Sequence, residues 1–363
     1  TTSAADLEFV SVTAIGGPYT WTPVNTGTLT NLVIEDATGG IDIPAGGQIE
    51  IEITVVLTDS PTNVSGLLFN NTATYTYNRV NGDPASQSNG IGDTSADMTI
   101  VGPDSMTLEK SGPATMRIGL PGTFRLNVHN TGTPTAYDAT ITDLIPNPVP
   151  GGMCDAAPAN ITAQLYLANG VTTFGGPLVQ NTDFTVNVVS GTPTCTLTFT
   201  MLTPAAAIPA DYRLIIDYDL SLDADSVNNT TLTNIAGVTE WFSGDTSGSG
   251  ATGEIRTYTR TITDGTVGTL DHQDAHSVLT ESPVVMFQKY VTNVTTGQDP
   301  GANASPGDTL RYRIVATNVS PIAVTGFSIT DEVDNLNSPA VFVPGSLTVS
   351  YTQLRAHETG SGI

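Results

Sequence analysis

Short stretches in which apolar and polar residues alternate recur along the whole chain, and this pattern sets the fold class. The clearest examples are IEIEITVVLTD (49–59) and DYRLIIDYDLSLD (211–223). A period of two places alternate side chains on opposite faces of a β-strand. Glycine, proline and asparagine interrupt the stretches, as in IPAGG (43–47), and these residues favour turns. The sequence therefore predicts an all-β chain of many short strands.

A longer pattern occurs twice, and the two lysines of the chain mark its start. Lys110 lies in MTLEKSGP, and Lys289 lies in VMFQKYVT. In both places a Pro-Gly turn, an alternating stretch and an asparagine turn follow, and an Ile-Thr-Asp sequence comes after them. The last residue of that sequence is Asp143 in one copy and Asp331 in the other. Such self-similarity at a long period indicates repeated structural units.

An asparagine-containing stretch forms the second part of the repeat. LTNIAGVTE resembles FNNTATYTY, and the match aligns Asn234 with Asn71. The lysines are 179 positions apart (289 − 110), and the asparagines are 163 apart (234 − 71). The stretch between Ile262 and Pro283 has no counterpart in the N-terminal part of the sequence that we can identify.

The order of these two parts predicts three units. Residues 104–283 contain the lysine and the asparagine and form a complete unit, whereas 1–103 contain only the asparagine half and 284–363 only the lysine half. We therefore expect one repeat to be split between the two ends of the chain. A flanking repeat or a neighbouring subunit would complete it. The chain begins at Thr1, and we expect it to be a processed or excised piece.

The combined series resembles a known family. The series consists of a lysine strand, a Pro-Gly turn, an alternating strand, an asparagine turn, Ile-Thr-Asp and Asn-x-Ala. It resembles the conserved-repeat immunoglobulin-like domain of bacterial and archaeal surface proteins. The resemblance covers the complete unit and, in halves, the two ends. It implies tandem immunoglobulin-like β-sandwiches in a large extracellular adhesin or fibre. A repeat of 179 residues is long for this family, which implies inserted strands or loops, or more than one sandwich per repeat.

Lysine, aspartate and asparagine in this arrangement point to an isopeptide bond within the protein. Burial lowers the pKa of a lysine because the ammonium loses its hydration, and the neutral amine is a nucleophile. An asparagine carboxamide on an adjacent strand would be the electrophile, and a protonated buried carboxyl would polarise it. These roles resemble those in surface adhesins and pilins that crosslink their first and last strands.

Two sets of residues could perform this chemistry. The candidates are Lys110, Asp143 and Asn234 in the complete unit, and Lys289, Asp331 and Asn71 across the split repeat. Asn70 is an alternative to Asn71. The competing interpretation is that both lysines are solvated side chains on edge strands, where lysine is common. The absence of other lysines favours the bond, although shared ancestry of the repeats would also preserve a surface lysine.

The two cysteines, Cys154 and Cys195, lie in the complete unit. No CxxC motif or histidine partner lies near them, and an even pair in an acidic β protein predicts a disulfide and an oxidising compartment. The bridge would span 41 positions (195 − 154), which corresponds to about 4 kcal/mol in the loop-entropy model. Two buried free thiols are the alternative.

Acidic clusters make calcium a candidate cofactor, because this cation binds several carboxylate and carbonyl oxygens. The candidate ligands are Asp217, Asp219, Asp223 and Asp225. A second cluster, DEVDN (331–335), adds Asp331, Glu332 and Asp334. Neither has the spacing of a helix–loop–helix calcium loop, so a solvated acidic face is the favoured interpretation. We expect no other cofactor.

Charge and motifs exclude several classes of function. The net charge of −24 repels nucleic acid and anionic membrane surfaces. No apolar run is long enough to span a membrane. The four histidines form no HExxH motif, and DHQDAH (271–276) is predicted to be a polar loop. Because no nucleophile or phosphate-binding motif occurs, we predict that the protein is not an enzyme.

These features predict a structural segment of an extracellular, cell-surface fibre, stalk or filament. Its partners would be further copies of itself or flanking repeats, and its mechanism would be mechanical, because crosslinks limit how far a pulling force extends the chain. One alternative is an adhesin that binds a host or carbohydrate ligand, and exposed aromatic residues would favour it. Only Trp21 and Trp241 are available as tryptophans. A further alternative is the accessory domain of a degradative enzyme.

Overall fold

A computed structural model describes residues 5–16, 20–247 and 254–331. In these ranges the regular structure consists of 24 β-strands and two 3-10 turns, with no α-helix. The all-β prediction is therefore confirmed. No helix in the described ranges is long and apolar enough to cross a membrane.

The strands are numbered in chain order. In the N-terminal part they are β1 (Leu7–Gly16), β2 (Pro23–Asn25), β3 (Ile34–Asp36), β4 (Glu50–Leu57), β5 (Leu68–Phe69), β6 (Thr72–Ala73), β7 (Thr76–Asn78), β8 (Gln87–Asn89), β9 (Asp93–Thr94) and β10 (Met98–Thr99). In the central part they are β11 (Met106–Ser111), β12 (Thr115–Arg117), β13 (Gly122–Asn130), β14 (Tyr137–Pro146), β15 (Ala159–Tyr166), β16 (Thr173–Phe174), β17 (Phe184–Val189), β18 (Thr194–Met201), β19 (Arg213–Leu220), β20 (Thr231–Phe242), β21 (Thr257–Thr259) and β22 (Gln273–Glu281). The last two are β23 (Val285–Asn293) and β24 (Leu310–Asn318), and the 3-10 turns are Pro84–Ser86 and Pro204–Ala206.

The chain divides into two compact bodies. One contains the described residues up to Val284 together with Val319–Ile322. The other contains Val285–Asn318 and the described residues from Ala323 onward. The first body includes the central strands, and the second is built on the hairpin β23–β24.

The central strands form an immunoglobulin-like sandwich of two sheets. One sheet has the order β11-β13-β19-β15-β16, and the other has the order β12-β22-β20-β14-β18-β17 with β21 paired to β20. The strands β11 and β12 follow one another in the chain but belong to different sheets. β12 pairs with β22 in parallel, from Thr115↔Leu279 to Arg117↔Glu281. The first and last strands of the sandwich therefore run side by side in the same direction.

Alternation builds the core between the two sheets. In β13, Phe124, Leu126 and Val128 have no exposed surface, while the residues between them face outward. The strand β18 contributes Leu197 and Phe199 to the same core in the same way. Complete burial of each such side chain stabilises the fold by about 1.5–3 kcal/mol. This apolar interior is the environment in which the polar residues of the candidate site are placed.

The N-terminal strands form only two-stranded sheets in the described residues, namely β1-β4, β2-β3, β5-β10, β6-β9 and β7-β8. Most of their side chains are exposed. Arg256, just before β21, holds this part of the chain on the sandwich, because its guanidinium donates hydrogen bonds to the carbonyls of Ser60 and Asn63 at 2.6 Å each. Trp241 is buried and its indole N–H donates to the carbonyl of Pro103.

The N-terminal strands repeat the structure of the second half of the sandwich. β4 and β19 have eight residues each and lie 163 positions apart (213 − 50). β5 pairs with β10 as β20 pairs with β22, since Met98 lies opposite Phe69 and Val278 opposite Leu232. β10 therefore pairs with β5 in the way that β22 pairs with β20, although β10 is only two residues long.

Candidate functional site

Lys110 lies in the interior of the sandwich although β11 is an edge strand. Its side chain has no exposed surface, and its Nζ lies 2.8 Å from Asp143 Oδ2 and 2.8 Å from Tyr218 Oη. Alternation explains this placement, because Met106 and Leu108 share the inner face of β11 with Lys110. The interpretation of Lys110 as a solvated surface residue is therefore wrong.

The two sheets contribute equally to this cluster. Lys110 and Tyr218 belong to the five-stranded sheet, whereas Asp143 of β14 and Asn234 of β20 belong to the other sheet. Asp143 lies opposite Ala236, so Asn234, two residues away on β20, is its diagonal neighbour on the inner face. The phenol of Tyr218 donates a hydrogen bond to Asp143 Oδ2, and the Asn234 amide lies beside the same phenol.

Asn234 is fully buried without hydrogen bonds of normal geometry. Neither its Nδ2 nor its Oδ1 has a partner, and Asp143 Oδ1 has none either. An unpartnered buried polar group costs about 1–3 kcal/mol, and native proteins contain few of them. The cluster thus combines a paired amine and carboxylate with an amide that lies against the Tyr218 phenol but has no hydrogen bond of normal geometry.

Burial controls the protonation of the cluster. It lowers the pKa of Lys110, because the ammonium loses hydration, and the negative charges of Asp143 and Asp274 oppose this effect only in part. Burial also raises the pKa of Tyr218 well above its ordinary value, and the Asp143 carboxylate adds to the increase. Burial therefore makes the Lys110 amine easier to deprotonate, next to a phenol that keeps its proton.

Aromatic rings form the walls of the cluster. The Lys110 Nζ lies 5.5 Å from the ring centroids of both Phe124 and Tyr218, which stack on each other at 6.0 Å. Phe199 packs against Tyr218 from the other sheet at 5.6 Å. These rings keep water away from the amine, and a lysine in such surroundings can act as a nucleophile.

Two residues of the site were not predicted. Tyr218 could have been placed on an inner face by alternation in DYRLIIDYDL, but not next to Lys110. Asp274 lies in the stretch DHQDAH, which was expected to be a loop, whereas Gln273–Glu281 is the strand β22. The Asp274 carboxylate is buried and accepts a hydrogen bond from the backbone N–H of Lys110 at 2.8 Å. It thus fixes β11 against β22.

Lys289 repeats half of this arrangement. Its Nζ lies 2.7 Å from Asp331 Oδ1 and 4.6 Å from the ring centroid of Tyr312. It pairs with Ile314 as Lys110 pairs with Leu126, which makes Tyr312 the counterpart of Phe124. In contrast to Lys110, however, the Lys289 side chain is 39% exposed.

The asparagine candidates of the split repeat differ in their surroundings. Asn71 is exposed, and its backbone N–H donates to Ser95 Oγ at 3.0 Å. Asn70 is half-buried, and its Nδ2 donates to Asp97 Oδ1 at 2.8 Å. Asn71 lies between β5 and β6, whereas Asn234, with which the repeat aligns it, lies within β20. Glu332 and Asp334, of the second acidic cluster, lie outside the described residues.

The predicted disulfide is confirmed. Cys154 and Cys195 are bonded and close a loop of 41 positions. The bridge joins the segment after β14 to β18, within the sandwich and within the chain segment that runs from Lys110 to Asn234.

The four aspartates proposed as calcium ligands do not converge. Asp217 forms a paired interaction with Arg125, and Asp219 accepts hydrogen bonds from Thr123 and Asn160. The bond from Asn160 is the main reason that the pKa of Asp219 is lowered. Asp223 is buried, and its carboxylate accepts hydrogen bonds from backbone N–H groups. Asp225, in contrast, is exposed. Over the described ranges no three acidic, histidine or cysteine side chains could hold a metal ion.

Comparison with solved structures finds proteins of low similarity. The fimbrial protein FimP from Actonomyces oris is 12% identical with a TM-score of 0.31, and the match covers 52% of this chain and 40% of that protein. The collagen-binding domain of a Staphylococcus aureus adhesin is 12% identical with a TM-score of 0.26, covering 47% and 96%. AvmM, which catalyses macrocyclization in alchivemycin A biosynthesis, is 10% identical with a TM-score of 0.27, covering 50% and 92%.

Matches at this level carry no argument about function. The chain spans less than half the length of FimP. No protein-family model matches the sequence, and no curated protein matches it. The resemblance to the conserved-repeat surface domain therefore stays a prediction.

Proposed function

We propose that this chain is a load-bearing segment of an extracellular fibre, and that an amide bond between Lys110 and Asn234 locks its central sandwich. One observation supports this most strongly: a buried Lys110–Asp143 pair stands next to a buried asparagine whose amide has no hydrogen-bond partner. A structural role alone does not explain that amide, because a leucine of similar volume would avoid the cost of burying it.

The bond would form by aminolysis of the asparagine side chain. Proton transfer across the 2.8 Å contact between Lys110 and Asp143 gives a neutral amine and a neutral carboxyl. The amine attacks Asn234 Cγ while the carboxyl donates a hydrogen bond to the carbonyl oxygen, where negative charge develops. The Nζ–Cγ bond replaces the Cγ–Nδ2 bond, the Lys110 amine gives up one proton, and the departing nitrogen gains one and leaves as ammonia.

Tyr218 and Asp274 would position the reacting groups. The phenol of Tyr218 contacts both the Lys110 amine and Asp143 Oδ2, so it orders the pair. Asp274 holds the backbone of Lys110 and so sets the depth to which the amine enters the core. Correct placement of two reactants can contribute several kcal/mol to a reaction that is slow in solution.

The structure changes the mechanical role expected for the bond. A link between the first and last strands was expected, but Asn234 lies on β20, and β22 follows it. Under tension the force would pass from Lys110 directly into β20. The segment between the two residues, with its disulfide, would carry no load, and only the chain after Asn234 could extend. The antiparallel pairing of β20 with β22 would then lie on the load path.

The adhesin alternative has some support from Tyr75 and Tyr77, which are 58% and 50% exposed and stack at 6.4 Å, but none from the tryptophans. Trp241 is buried and stacks on Tyr258 at 5.7 Å, and Trp21 is half-buried. Neither tryptophan therefore offers the exposed aromatic surface that carbohydrate binding requires.

Intact-mass measurement of the purified monomer tests the proposal. After reduction of the disulfide, we expect a mass below that of the sequence by one ammonia. Asn234→Ala should show its full calculated mass, and Asn127→Ala, on the outer face of β13, should keep the loss. A wild-type protein at its full sequence mass would falsify the bond.

A further inference from the structure

Two strands at opposite ends of the chain, β4 and β24, each have a single paired strand neighbour in the described ranges. In the described residues β4 pairs only with β1, and β24 pairs only with β23. Their counterparts in the sandwich, β19 and β13, pair with each other along their whole length, from Gly122↔Leu220 to His129↔Arg213. The sheet order β11-β13-β19-β15 thus recurs in two halves, as β23-β24 and as β4-β1.

The inner faces of these half-sheets are apolar and open. Ile53 and Val55 of β4 are 43% and 44% exposed, whereas their counterparts in β19, Ile216 and Tyr218, have no exposed surface. On β24 the inner position Tyr312 is 46% exposed, and its counterpart Phe124 is fully buried. Each half thus presents a row of side chains that the complete sandwich covers.

The outer faces of the two strands carry opposite charges. By alternation, β24 directs Arg311 and Arg313 outward, and β4 directs Glu50 and Glu52 outward. The protein has only 11 basic residues against 35 acidic ones, so two arginines on one strand are a local exception. In the register of the complete sandwich Glu52 would be the diagonal neighbour of Arg313, a distance that long side chains can span.

The course of the chain through the sandwich favours a second copy as the partner. Leu108 and Lys110 of β11 donate backbone hydrogen bonds to Asp271 and Asp274, at the start of β22. The chain therefore enters at the end of the sandwich where β22 begins, and it leaves at Glu281, where β22 ends. These points are about 26 Å apart at the usual rise of a strand. The N-terminal and C-terminal strands thus start from opposite ends of the sandwich.

From these observations we infer that β24 of one copy pairs antiparallel with β4 of a second copy, with Arg313 opposite Thr54 and Ile314 opposite Ile53. The register follows from Arg125↔Asp217 and Leu126↔Ile216 in the complete sandwich. The inference rests on the proposed fibre function and deepens it, since it names the partner. Repeated addition of copies in this way produces a head-to-tail fibre.

The same pairing would complete a second crosslinking site between chains. It brings Lys289 and Asp331 of one copy to Asn71 of the next, at the position that Asn234 has in the complete unit. The chemistry is the same: Lys289 Nζ attacks Asn71 Cγ, the Cγ–Nδ2 bond breaks, and ammonia leaves. Val55 occupies the place of Tyr218, so the phenol that orders the pair in the complete unit is missing here.

Disulfide trapping tests the strand pairing, with variants that each carry one added cysteine besides the native Cys154–Cys195 disulfide. We would mix Arg313→Cys protein with differently tagged Thr54→Cys protein under mild oxidation, so that any mixed disulfide is intermolecular. Both side chains face outward, which leaves the core unchanged. We expect a covalent heterodimer that a reductant separates into monomers. The matched control is Glu50→Cys, four residues along β4, which should give roughly tenfold less product because its Cα lies too far from residue 313 for a disulfide.

Each outcome decides the inference. Equal trapping with Thr54→Cys and Glu50→Cys would reject the register, and no heterodimer would reject the pairing. A protein with both Arg313→Cys and Thr54→Cys that closes only within its own monomer would show that the halves pair in one chain instead. The Lys110–Asn234 proposal is tested separately, because the loss of ammonia from the monomer does not depend on the introduced cysteines.

Discussion

The Lys110 amine and the Asp143 carboxylate are 2.8 Å apart in the core of the sandwich, and neither side chain has any exposed surface. Such a pair is weak evidence for stability, because removing two charges from water costs several kcal/mol per ion, and the attraction between them offsets this only in part. We propose that it is a reactive pair. Proton transfer within it would create both the nucleophile and the acid that amide formation requires.

Replacement of Asp143 by asparagine should prevent the crosslink. The introduced carboxamide cannot take up the proton of Lys110 and cannot act as an acid toward the Asn234 carbonyl, so we expect the rate of crosslinking to fall by at least about 100-fold, a usual contribution of acid–base catalysis. Freshly purified protein should therefore contain little crosslinked product. Intact mass gives the fraction directly. Asp217→Asn, on the outer face of β19, is the control and should leave it unchanged. Normal crosslinking in Asp143→Asn would show that this carboxyl takes no part.

Tyr218 should give the sandwich a specific pH dependence. Its pKa is raised well above the ordinary value in the folded protein, so between about pH 10 and that raised value the folded state binds more protons than the unfolded state. Its contribution to stability is therefore complete below about pH 10 and is lost as the pH rises through the folded pKa.

Denaturation curves in the Asn234→Ala background, which is not crosslinked, can measure this effect. The difference in unfolding free energy between proteins with and without Tyr218→Phe should be constant up to about pH 9 and should shrink above about pH 10. A difference that grows with pH would contradict the assigned direction of the pKa.

The disulfide and the amide bond should share their stabilising effect. The disulfide closes a loop of 41 positions, which corresponds to about 4 kcal/mol in an otherwise open chain. This loop lies within the segment that the amide bond already closes. Reduction should therefore lower the unfolding free energy more in Asn234→Ala than in the wild type. Equal losses in urea titrations of the two proteins would argue against nested links.

Single-molecule stretching should reveal the shorter load path. Lys110 and Asn234 are 124 positions apart (234 − 110), and the disulfide removes 41 of these. Unfolding of Asn234→Ala should therefore release roughly 290 Å more chain than unfolding of the wild type, at about 3.5 Å per residue. The same contour length in both proteins would mean that the wild type carries no bond at this position.

The residues of the complete cluster show what repeat analysis can find. Lys110, Asp143 and Asn234 were selected because they occupy repeated positions, and the structure places them on inner faces around one phenol. Tyr218 was missed because alternation assigns a residue to a face, whereas the order β11-β13-β19 decides which inner residue lies next to Lys110. That order depends on contacts distant in the sequence.

The last strand of the sandwich was missed for a different reason. Polar residues are dense in DHQDAH, and such density usually indicates a loop. Here Gln273 and Asp274 are buried, because they make hydrogen bonds to Thr263 and to the backbone of Lys110. Local sequence cannot show that these partners exist.

The most direct test of the central claim is tandem mass spectrometry of a tryptic digest of the wild-type monomer. Acylation of Lys110 blocks cleavage after it, so we predict one branched peptide that joins residues 80–117 to residues 214–256 and is lighter than their sum by one ammonia. Fragmentation should place the branch at Lys110 and Asn234. Recovery of the unmodified peptide that ends at Lys110, together with an unmodified 214–256 peptide, would contradict the account.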